Sequence, residues 1–423
     1  MLQVNFIKEN KQEVISKLSV KNFKSTEIID LVLDLDEKRR TFQKELDDVL
    51  AESNKSAKEI GSLYKQGKHE EAEAMKARAG ELRTLSKELS EQLEAIKMEM
   101  NDALVQVPNL PHSSVPKGNS AEDNEIVNES GLIPELGDQA LPHWELATKY
   151  AIIDFELGNK VTGSGFPFYK GKGAKLQRAL INFFLDRALD AGYLEIQPPL
   201  MVNEDSGYGT GQLPDKDGQM YHVGIDNFYL IPTAEVPVTN IYRDVILKAE
   251  DFPVKNVAYS QCFRREAGSY GKDVRGLNRL HQFDKVEIVQ LQHPDKSYET
   301  LEEMRNHAAS LIEALELPFR TLKLCGGDLS FTSALTYDFE VYSAAQKRWL
   351  EVSSVSNFEN FQANRMKLRF KDTDGKTKLA HTLNGSALAL PRIVAALLEN
   401  NQTEKGIRIP NALQPYTGFE YID

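Results

Sequence analysis

Basic and acidic side chains follow directly on an apolar run near the middle of the 423-residue chain. The segment 262–266 reads CFRRE, and a loop rich in glycine and basic residues (268–279) leads to a second apolar run that carries Phe283 and Glu287. An arginine rooted in a strand is held rigidly and can donate a forked pair of bonds to phosphate or carboxylate oxygens. Arg264 is therefore a candidate anion ligand, although from spacing alone an edge-strand hairpin with solvated charges is the stronger alternative.

Two further segments contain residue types that bind phosphates or their counter-ions. Glu351 and Ser354 place a carboxylate and a hydroxyl three residues apart, which is enough to hold Mg²⁺ jointly with substrate phosphates. In 383–392 a Gly/Ser turn is expected to open an apolar helix, with Arg392 near its start, where the helix dipole disfavours a positive charge. This position indicates an anionic ligand, and an ordinary capped helix whose arginine pairs with a neighbouring carboxylate stays open as the alternative.

The N-terminal quarter of the chain has the periodicity of two long helices. Apolar residues recur at seven-residue steps from Ile28 to Leu63, and after Gly67 the pattern restarts from Met75 to Val107. Heptads on both sides of a short glycine-containing turn predict an antiparallel coiled-coil hairpin over about 27–104. From heptads alone a dimerisation or spacer element is favoured over RNA binding, although basic residues cluster towards the distal half of the hairpin.

Beyond a linker rich in Pro, Asn, Ser and Gly at 106–145, strand-like and helical runs alternate irregularly. Strands are expected near 227–231, 257–262, 283–291 and 339–342, and helices near 175–191, 297–315 and 386–400. A doubly wound parallel sheet would need regular alternation of strand and helix. An α+β domain with a largely antiparallel sheet flanked by helices is therefore predicted for 146–423.

Composition limits the remaining function classes. The 51 basic and 63 acidic residues give a net charge of −12, which opposes indiscriminate nucleic-acid binding, so any RNA partner must be held by local patches. No window of 18 uncharged apolar residues and no secretory signal are found, so a cytoplasmic protein without a membrane span is expected. Cys262 and Cys325 are expected to be small core residues and are too few for a zinc site, so no zinc is expected.

Taken together, these segments closely resemble the bacterial-type seryl-tRNA synthetases, a family of class II aminoacyl-tRNA synthetases, over nearly the whole chain. The three class II motifs correspond to 192–200, to 263–266 with its loop, and to 385–392, and Pro199 would lie at a homodimer interface. Four serine-type signatures accompany them, at 210–214, 233–235, 276–283 and 351–358. The resemblance implies a tRNA-binding domain with the hairpin at 1–105 and a class II catalytic domain at 146–423.

The resemblance also implies roles for individual residues. Arg264 would bridge the ATP α-phosphate and the serine carboxylate, while Arg392 would reach the γ-phosphate. Glu266 would accept from the adenine amino group and Phe283 would stack on the adenine ring. The serine pocket would consist of Thr233, Ala234, Glu235, Arg264, Glu287, Asn384 and Ser386. The ATP site would consist of Arg264, Arg265, Glu266, Phe283, Glu351, Val352, Ser353, Ser354 and Arg392. The Mg²⁺ ligands would be Glu351 and Ser354, and the catalytic residues would be Arg264, Glu351 and Arg392.

Membership of this family would imply ATP-dependent joining of L-serine to serine tRNA, by formation of seryl-adenylate and then transfer to the terminal ribose of the tRNA. The hairpin would grip the long variable arm of the tRNA, which reverses the preference for a spacer. Selenocysteine tRNA would also be charged with serine where such a tRNA exists. The alternative is a non-catalytic, synthetase-like RNA-binding or regulatory paralogue, which would be expected to have lost part of the arginine and Mg²⁺ constellation; here it is complete.

Overall fold

The computed structural model of the chain describes residues 1–137, 140–267 and 275–423. These residues form two compact units, one made of 1–19 and 23–108 and the other of 20–22 and 109–423. The first unit is helical. Its helices are α1 (Val4–Glu9), α2 (Lys11–Val20), α3 (Glu27–Lys65) and α4 (His69–Leu104).

The long helices α3 and α4 pack along each other in opposite directions. Leu46 of α3 clusters with Leu89 and Leu93 of α4, and the Arg78 guanidinium lies 3.1 Å from a Glu52 carboxylate oxygen across the pair. Gly67 lies in the connecting turn with a φ of 75°, a left-handed conformation that costs glycine little. The predicted antiparallel helical hairpin is therefore confirmed.

The second unit combines helices with strands. Its helices are α5 (His143–Lys149), α6 (Phe155–Val161), α7 (Gly171–Asp190), α8 (Glu204–Thr210), α9 (Glu235–Asn240), α10 (Ser297–Ala314), α11 (Phe361–Met366), α12 (Leu390–Asn400) and α13 (Gln414–Thr417). Its strands are β1 (Glu125–Ser130), β2 (Ile153–Asp154), β3 (Phe168–Tyr169), β4 (Leu194–Glu195), β5 (Met201–Val202), β6 (His222–Val223), β7 (Phe228–Leu230), β8 (Ile246–Lys248), β9 (Val254–Phe263), β10 (Gln282–Gln292), β11 (Phe319–Lys323), β12 (Leu335–Ser343), β13 (Arg348–Asn357), β14 (Arg369–Lys371), β15 (Thr377–Leu379), β16 (His381–Ala389), β17 (Gln402–Thr403), β18 (Gly406–Arg408) and β19 (Tyr421–Ile422).

An eight-stranded sheet in the order β1-β11-β12-β13-β16-β10-β9-β4 forms the centre of this unit. Its neighbouring strands run antiparallel, except that β4 and β9 run parallel. Helices α7, α10 and α12 contribute Phe183, Leu301 and Ile393 to one large apolar core with the sheet. Burial of these apolar side chains is the main contribution that stabilises the packing of the helices on the sheet. The predicted α+β class with a largely antiparallel sheet is confirmed.

The structure differs from the sequence-based expectation around the third class II motif. The helix expected from 386 begins instead at Leu390, and the preceding residues belong to β16. In this strand Gly385 stands opposite Val355 of β13 on one side and Ile288 of β10 on the other. Because the strand is paired on both sides, its backbone groups are satisfied by neighbouring strands rather than by a helical turn. The helix expectation for 386–389 was therefore wrong.

Segments outside the motifs also contribute to this unit. The stretch 106–145, which reads as a linker in the sequence, contains β1, and this strand pairs with β11 at one edge of the large sheet.

Cys262 and Cys325 are free and buried, as expected. In the described part of the chain, no helix is both long and apolar enough to cross a bilayer.

Candidate active site

Two central strands of the large sheet, β10 and β16, carry part of the expected serine pocket. On β10, Phe283, Lys285 and Glu287 share one face because alternate side chains of a strand point the same way. Ser386 of β16 stands opposite Glu287, and its hydroxyl donates to the Glu287 carboxylate over 3.3 Å. The Asn384 side chain is also buried, and its Nδ2 has no hydrogen-bond acceptor among the described residues. The pocket is thus lined by buried polar groups at the centre of the sheet.

Lys285 links two sides of this pocket. Its ammonium lies 2.7 Å from Oε2 of Glu287 and donates to the Thr233 hydroxyl over 2.8 Å. All three residues are buried, Lys285 with 5% of its surface exposed and Glu287 with 2%. A buried charge is tolerated when it is paired and hydrogen-bonded, as it is here.

A second buried carboxylate, Glu235, begins α9 immediately after Thr233 and Ala234. Gln362 donates from its amide to Oε1 of Glu235 over 2.7 Å, and the Thr382 hydroxyl donates to the Gln362 carbonyl over 2.6 Å. The second bond fixes the orientation of the amide, so that its nitrogen faces the carboxylate. Burial and the nearby charge of Glu287 raise the pKa of Glu235 to about 7.

The predicted arginine cluster follows at the end of β9. The backbone N–H of Arg264 donates to the His281 carbonyl over 2.9 Å, and its guanidinium lies 5.2 Å from the centre of the Phe283 ring. Glu266 lies 3.4 Å from Nε of Arg279. Arg264 thus follows the last residue of β9, and its paired backbone anchors it at the strand end. Residues 268–274 of the adjoining loop lie outside the described residues.

Arg392 joins the third motif to the Glu351 segment. The arginine donates from Nε to the Asn278 carbonyl over 3.0 Å and from a terminal nitrogen to the Glu351 carbonyl over 2.9 Å. Burial lowers the pKa of Arg392 from its usual value. Next in the segment, Val352 is buried, and the Ser353 hydroxyl donates to the Ser386 carbonyl over 2.6 Å. The Ser353 hydrogen bond ties β13 to β16, and the roles of Val352 and Ser353 in ATP binding stay predictions.

The oxygen atoms near Glu351 fit a hard divalent cation. The Glu351 carboxylate is half exposed, and Ser354 stands opposite Asp338 on the neighbouring strand β12. One carboxylate oxygen of Asp338 is buried without a hydrogen-bond partner in the described residues, and burial together with the charge of Glu351 raises the pKa of Asp338 well above its usual range. Carboxylate and hydroxyl oxygens are the ligands that Mg²⁺ prefers. In the described ranges, no cluster of three or more His, Cys, Asp or Glu side chains suited to a metal occurs.

Comparison with known proteins places this geometry in a family. The model of the seryl-tRNA synthetase N-terminal domain matches residues 1–111, and that of the class II tRNA synthetase core domain (G, H, P, S and T) matches 221–401. A serine–tRNA ligase of Salinibacter ruber is 52% identical over 424 residues, covering 100% of this chain and 99% of its own length. The chain belongs to the seryl-tRNA synthetase family. Its enzyme class is accordingly that of the serine–tRNA ligases, which are aminoacyl-tRNA synthetases.

Solved structures agree with this assignment. A seryl-tRNA synthetase of Pyrococcus horikoshii, determined with ATP, superimposes with a TM-score of 0.90 at 35% identity and 99% coverage of both chains. A cytoplasmic serine–tRNA ligase of Naegleria fowleri, determined with AMP, gives a TM-score of 0.86 at 26% identity, covering 100% of this chain and 99% of that one. Both structures contain an adenine nucleotide. The predicted family resemblance is confirmed.

Three polar residues of this seryl-tRNA synthetase site were missed by the sequence analysis. Lys285 contacts Glu287 and Thr233, Gln362 contacts Glu235, and Asp338 stands opposite Ser354. Lys285 had a detectable signal, since it alternates with Phe283 and Glu287 on one strand. Gln362 and Asp338 had none, because each lies on a different element from its partner and only the fold brings the pairs together.

A buried network supports the far side of the same site. His143 Nδ1 lies 2.7 Å from a Glu399 carboxylate oxygen, and the Ser343 hydroxyl donates to the other oxygen of that carboxylate. His143 Nε2 accepts from the backbone N–H of Leu277 over 2.8 Å. Burial would raise the pKa of Glu399, but hydrogen bonds from His143 and Ser343 outweigh it and hold the pKa below its usual value. The network fixes the backbone next to Asn278, whose carbonyl accepts from Arg392.

Proposed function

We propose that this chain attaches L-serine to serine tRNA in two steps, first forming seryl-adenylate and pyrophosphate from serine and ATP, then transferring serine to the terminal ribose of the tRNA. The observation that carries this proposal is the buried pocket of Glu235, Glu287 and Thr233. Its Glu287 lies on β10, between β9, which ends just before Arg264, and β16, which leads into the helix that carries Arg392. Such a pocket offers carboxylates to an ammonium group, and the arginines offer cations to carboxylate and phosphate oxygens.

The first step needs positioning more than proton transfer. The serine carboxylate is already ionised and can attack the α-phosphorus without a protein base, so alignment and neutralisation of charge supply the catalysis. Arg264 would contact the serine carboxylate and the α-phosphate, and Arg392 would contact the γ-phosphate. Phe283 would stack on the adenine ring and Glu266 would accept from its amino group. The rigid strand end that carries Arg264 supports this role.

Magnesium is expected with ATP. Glu351 and Ser354 would hold the ion together with phosphate oxygens, and when bound it would neutralise negative charge on the phosphates. The half-exposed carboxylate of Glu351 and the unpartnered oxygen of Asp338 nearby support an oxygen-ligand site. Pyrophosphate would leave from this side of the pocket, beside Arg392.

Selection of serine would follow from the polarity of the pocket. Glycine and alanine lack a hydroxyl, so in their complexes Oε1 of Glu287 would receive no substrate donor and the Asn384 amide nitrogen would stay unpaired. Threonine carries an additional methyl group and must be excluded by size. Thr233, Ala234, Glu235 and Ser386 would complete the wall around the amino acid.

The tRNA would be gripped by the N-terminal hairpin along its long variable arm, with selenocysteine tRNA as a second substrate where it exists. Lys55, Lys58, Lys65 and Arg83 are exposed on this hairpin and have no ion pair among the residues described. Other basic residues there are neutralised within the hairpin, as Lys76 is by Glu73. The unpaired cations are the candidates for phosphate contacts.

The enzyme would act as a homodimer in the cytoplasm, with a tRNA-binding domain at 1–105, a linker at 106–145 and a catalytic domain at 146–423. Around the first class II motif, Leu194 and Met201 leave 63% and 51% of their surfaces exposed. Strand β4, which carries Leu194, has a sheet neighbour on one side, β9. An apolar edge of this kind is suited to burial against a second subunit.

The experiment that tests the function is amino-acid-dependent exchange of labelled pyrophosphate into ATP, with purified protein, Mg²⁺ and each amino acid in turn. Exchange with serine alone is expected. Subsequent charging of serine tRNA, measured as acid-precipitable labelled serine, tests the second step. Folded protein that exchanges pyrophosphate with none of the amino acids would instead indicate the non-catalytic RNA-binding paralogue.

A further inference from the structure

A buried lysine connects one carboxylate of the pocket, that of Glu287, to the hydroxyl of Thr233. The Lys285 ammonium has one contact with Glu287 at 2.7 Å and one with Thr233 at 2.8 Å. Removing an ammonium group from water is costly, so its placement here calls for compensation by these partners. The assigned serine and ATP ligands leave Lys285 without a role.

The hydrogen bonds of Thr233 determine whether its hydroxyl can donate to a ligand or accept from it. Its Oγ1 accepts from the Lys285 ammonium over 2.8 Å and from the backbone N–H of Glu235 over 3.2 Å. A hydroxyl has two acceptor sites and one proton. Because both acceptor sites are taken, Thr233 can act towards a ligand only as a donor.

The hydrogen bonds of Glu287 leave its carboxylate as an acceptor towards a ligand. Oε2 of this carboxylate accepts from Lys285 and, over 3.3 Å, from the Ser386 hydroxyl. An ionised carboxylate can only accept, and Oε1 takes no part in these two bonds. Glu287 therefore offers an acceptor to a substrate hydroxyl or ammonium, while Thr233 offers a donor.

The charges of the pocket match one ammonium group. When Glu235 and Glu287 are both ionised, their carboxylates carry a charge of −2 and the Lys285 ammonium carries +1. The net charge of the pocket is then −1, which matches the single positive charge of the α-ammonium of an amino acid. A positively charged substrate side chain that bound to the Glu287 carboxylate would lie next to the Lys285 ammonium, which binds the same carboxylate. Two neighbouring positive charges repel strongly where water is excluded.

We propose that Lys285 is a positioning and specificity residue, which fixes Thr233 as a donor and Glu287 as an acceptor towards serine and rejects amino acids whose side chain carries a cation. This inference rests on the proposed function, since it places the substrate serine in the pocket. L-2,3-Diaminopropionate is the sharpest probe, because it has the shape of serine with an amino group in place of the hydroxyl, and this group adds a second positive charge when it is protonated.

The test compares serine and diaminopropionate in pyrophosphate exchange for wild type, Lys285→Met and Lys285→Gln. Loss of a bond to a charged group should lower kcat/KM for serine by roughly 10- to 100-fold in both variants, mainly through KM for serine, with KM for ATP little changed. The preference for serine over diaminopropionate should fall by at least roughly tenfold, because the repelling cation is gone. A lysine that only supported the fold would change both substrates alike.

Lys255→Met is the matched control. Lys255 lies on the neighbouring strand β9, with its ammonium over the Tyr193 ring at 5.6 Å, away from the pocket. This variant should keep the wild-type preference. Lys285→Gln keeps a hydrogen-bond donor and supplies the same comparison if the methionine variant does not fold. Wild-type protein adds a test without any substitution, since it should use diaminopropionate no better than alanine.

The outcomes separate the inference from the function on which it rests. Wild-type protein that shows no exchange with serine would overturn the proposed function. Wild-type exchange with serine, combined with an unchanged substrate preference in a folded Lys285 variant, would overturn the role of Lys285 alone. Efficient use of diaminopropionate by the wild type would do the same.

Discussion

Replacement of Glu235 by glutamine tests the electrostatics of the serine pocket. Burial and the charge of Glu287 raise the pKa of Glu235 from 4.5 to about 7. Between these values the folded protein binds more protons than the unfolded chain, so this group lowers the free energy of unfolding as the pH rises through that window. At 1.36 kcal/mol per pKa unit, the ionised carboxylate costs the folded state about 3 kcal/mol at pH 8 and about 1 kcal/mol at pH 5.

The variant Glu235→Gln removes this cost and keeps a side-chain oxygen that accepts from Gln362. Relative to wild type, its free energy of unfolding without ligands should therefore increase by about 2 kcal/mol more at pH 8 than at pH 5. Urea unfolding at the two pH values measures this difference. Serine-dependent pyrophosphate exchange should fall by roughly 100-fold in the same variant, because the substrate ammonium loses a charged acceptor.

Glu303→Gln is the matched control, since Glu303 is an exposed carboxylate on α10. It should change the free energy of unfolding by no more than about 0.5 kcal/mol at either pH. An equal gain for Glu235→Gln at pH 5 and pH 8 would refute the argument from charge burial and attribute the gain to packing. A loss of stability at pH 8 would show that the ionised carboxylate stabilises the fold.

Three further predictions address other parts of the molecule. Arg264→Ala should lower serine-dependent exchange by roughly 100- to 1000-fold while the melting temperature stays near that of wild type, because the guanidinium is proposed to contact both substrates; near-normal exchange would remove Arg264 from the site. Deletion of 27–104 should preserve exchange and abolish charging of serine tRNA, and equal loss of both activities in a folded variant would mean that the hairpin supports the catalytic domain. His143→Ala should lower the free energy of unfolding by about 3 kcal/mol in urea titrations, because Glu399 loses a buried partner, whereas an unchanged value would show that the network is not needed for stability.

The parts of the fold that follow from periodicity could be predicted from the sequence. Heptad spacing depends on the sequence of each helix alone, so the hairpin of α3 and α4 was found with nearly correct bounds. The irregular alternation of strands and helices gave the α+β class in the same way. The short strands were harder, because a two-residue strand such as Leu194–Glu195 has no pattern of its own and exists through its pairing with β9.

The third motif shows where local reasoning fails. Small and apolar residues from Asn384 to Ala389 have the composition of a turn and a helix start, and the sequence analysis placed the start of the helix near 386. In the structure they form a central strand with neighbours on both sides. Tertiary pairing overrides weak local propensity, and the strong helical pattern begins only at Leu390.

The residues missed in the pocket share one physical cause. Motif reasoning finds groups that would touch a substrate, such as Glu235 and Glu287, but not the groups that satisfy them when the substrate is absent. Gln362 comes from α11 and Lys285 from β10, and each occupies an acceptor on a pocket residue. Because buried polar groups must be paired, every predicted buried carboxylate implies an unseen donor elsewhere in the chain. That rule supplies a search criterion which motif matching lacks.

The order of side chains along β10 connects the fold to the proposed chemistry. Phe283, Lys285 and Glu287 follow one another on one face, at intervals of roughly 7 Å for alternate residues of a strand. The aromatic ring suits the adenine end of a seryl-adenylate, and the Glu287 carboxylate suits the hydroxyl at its seryl end. Arg264, packed over Phe283, places its cation near the ring rather than at the carboxylates. In the proposed function, serine would therefore enter with its ammonium towards Glu235, its hydroxyl towards Glu287 and its carboxylate towards Arg264, which is the orientation that attack on ATP requires.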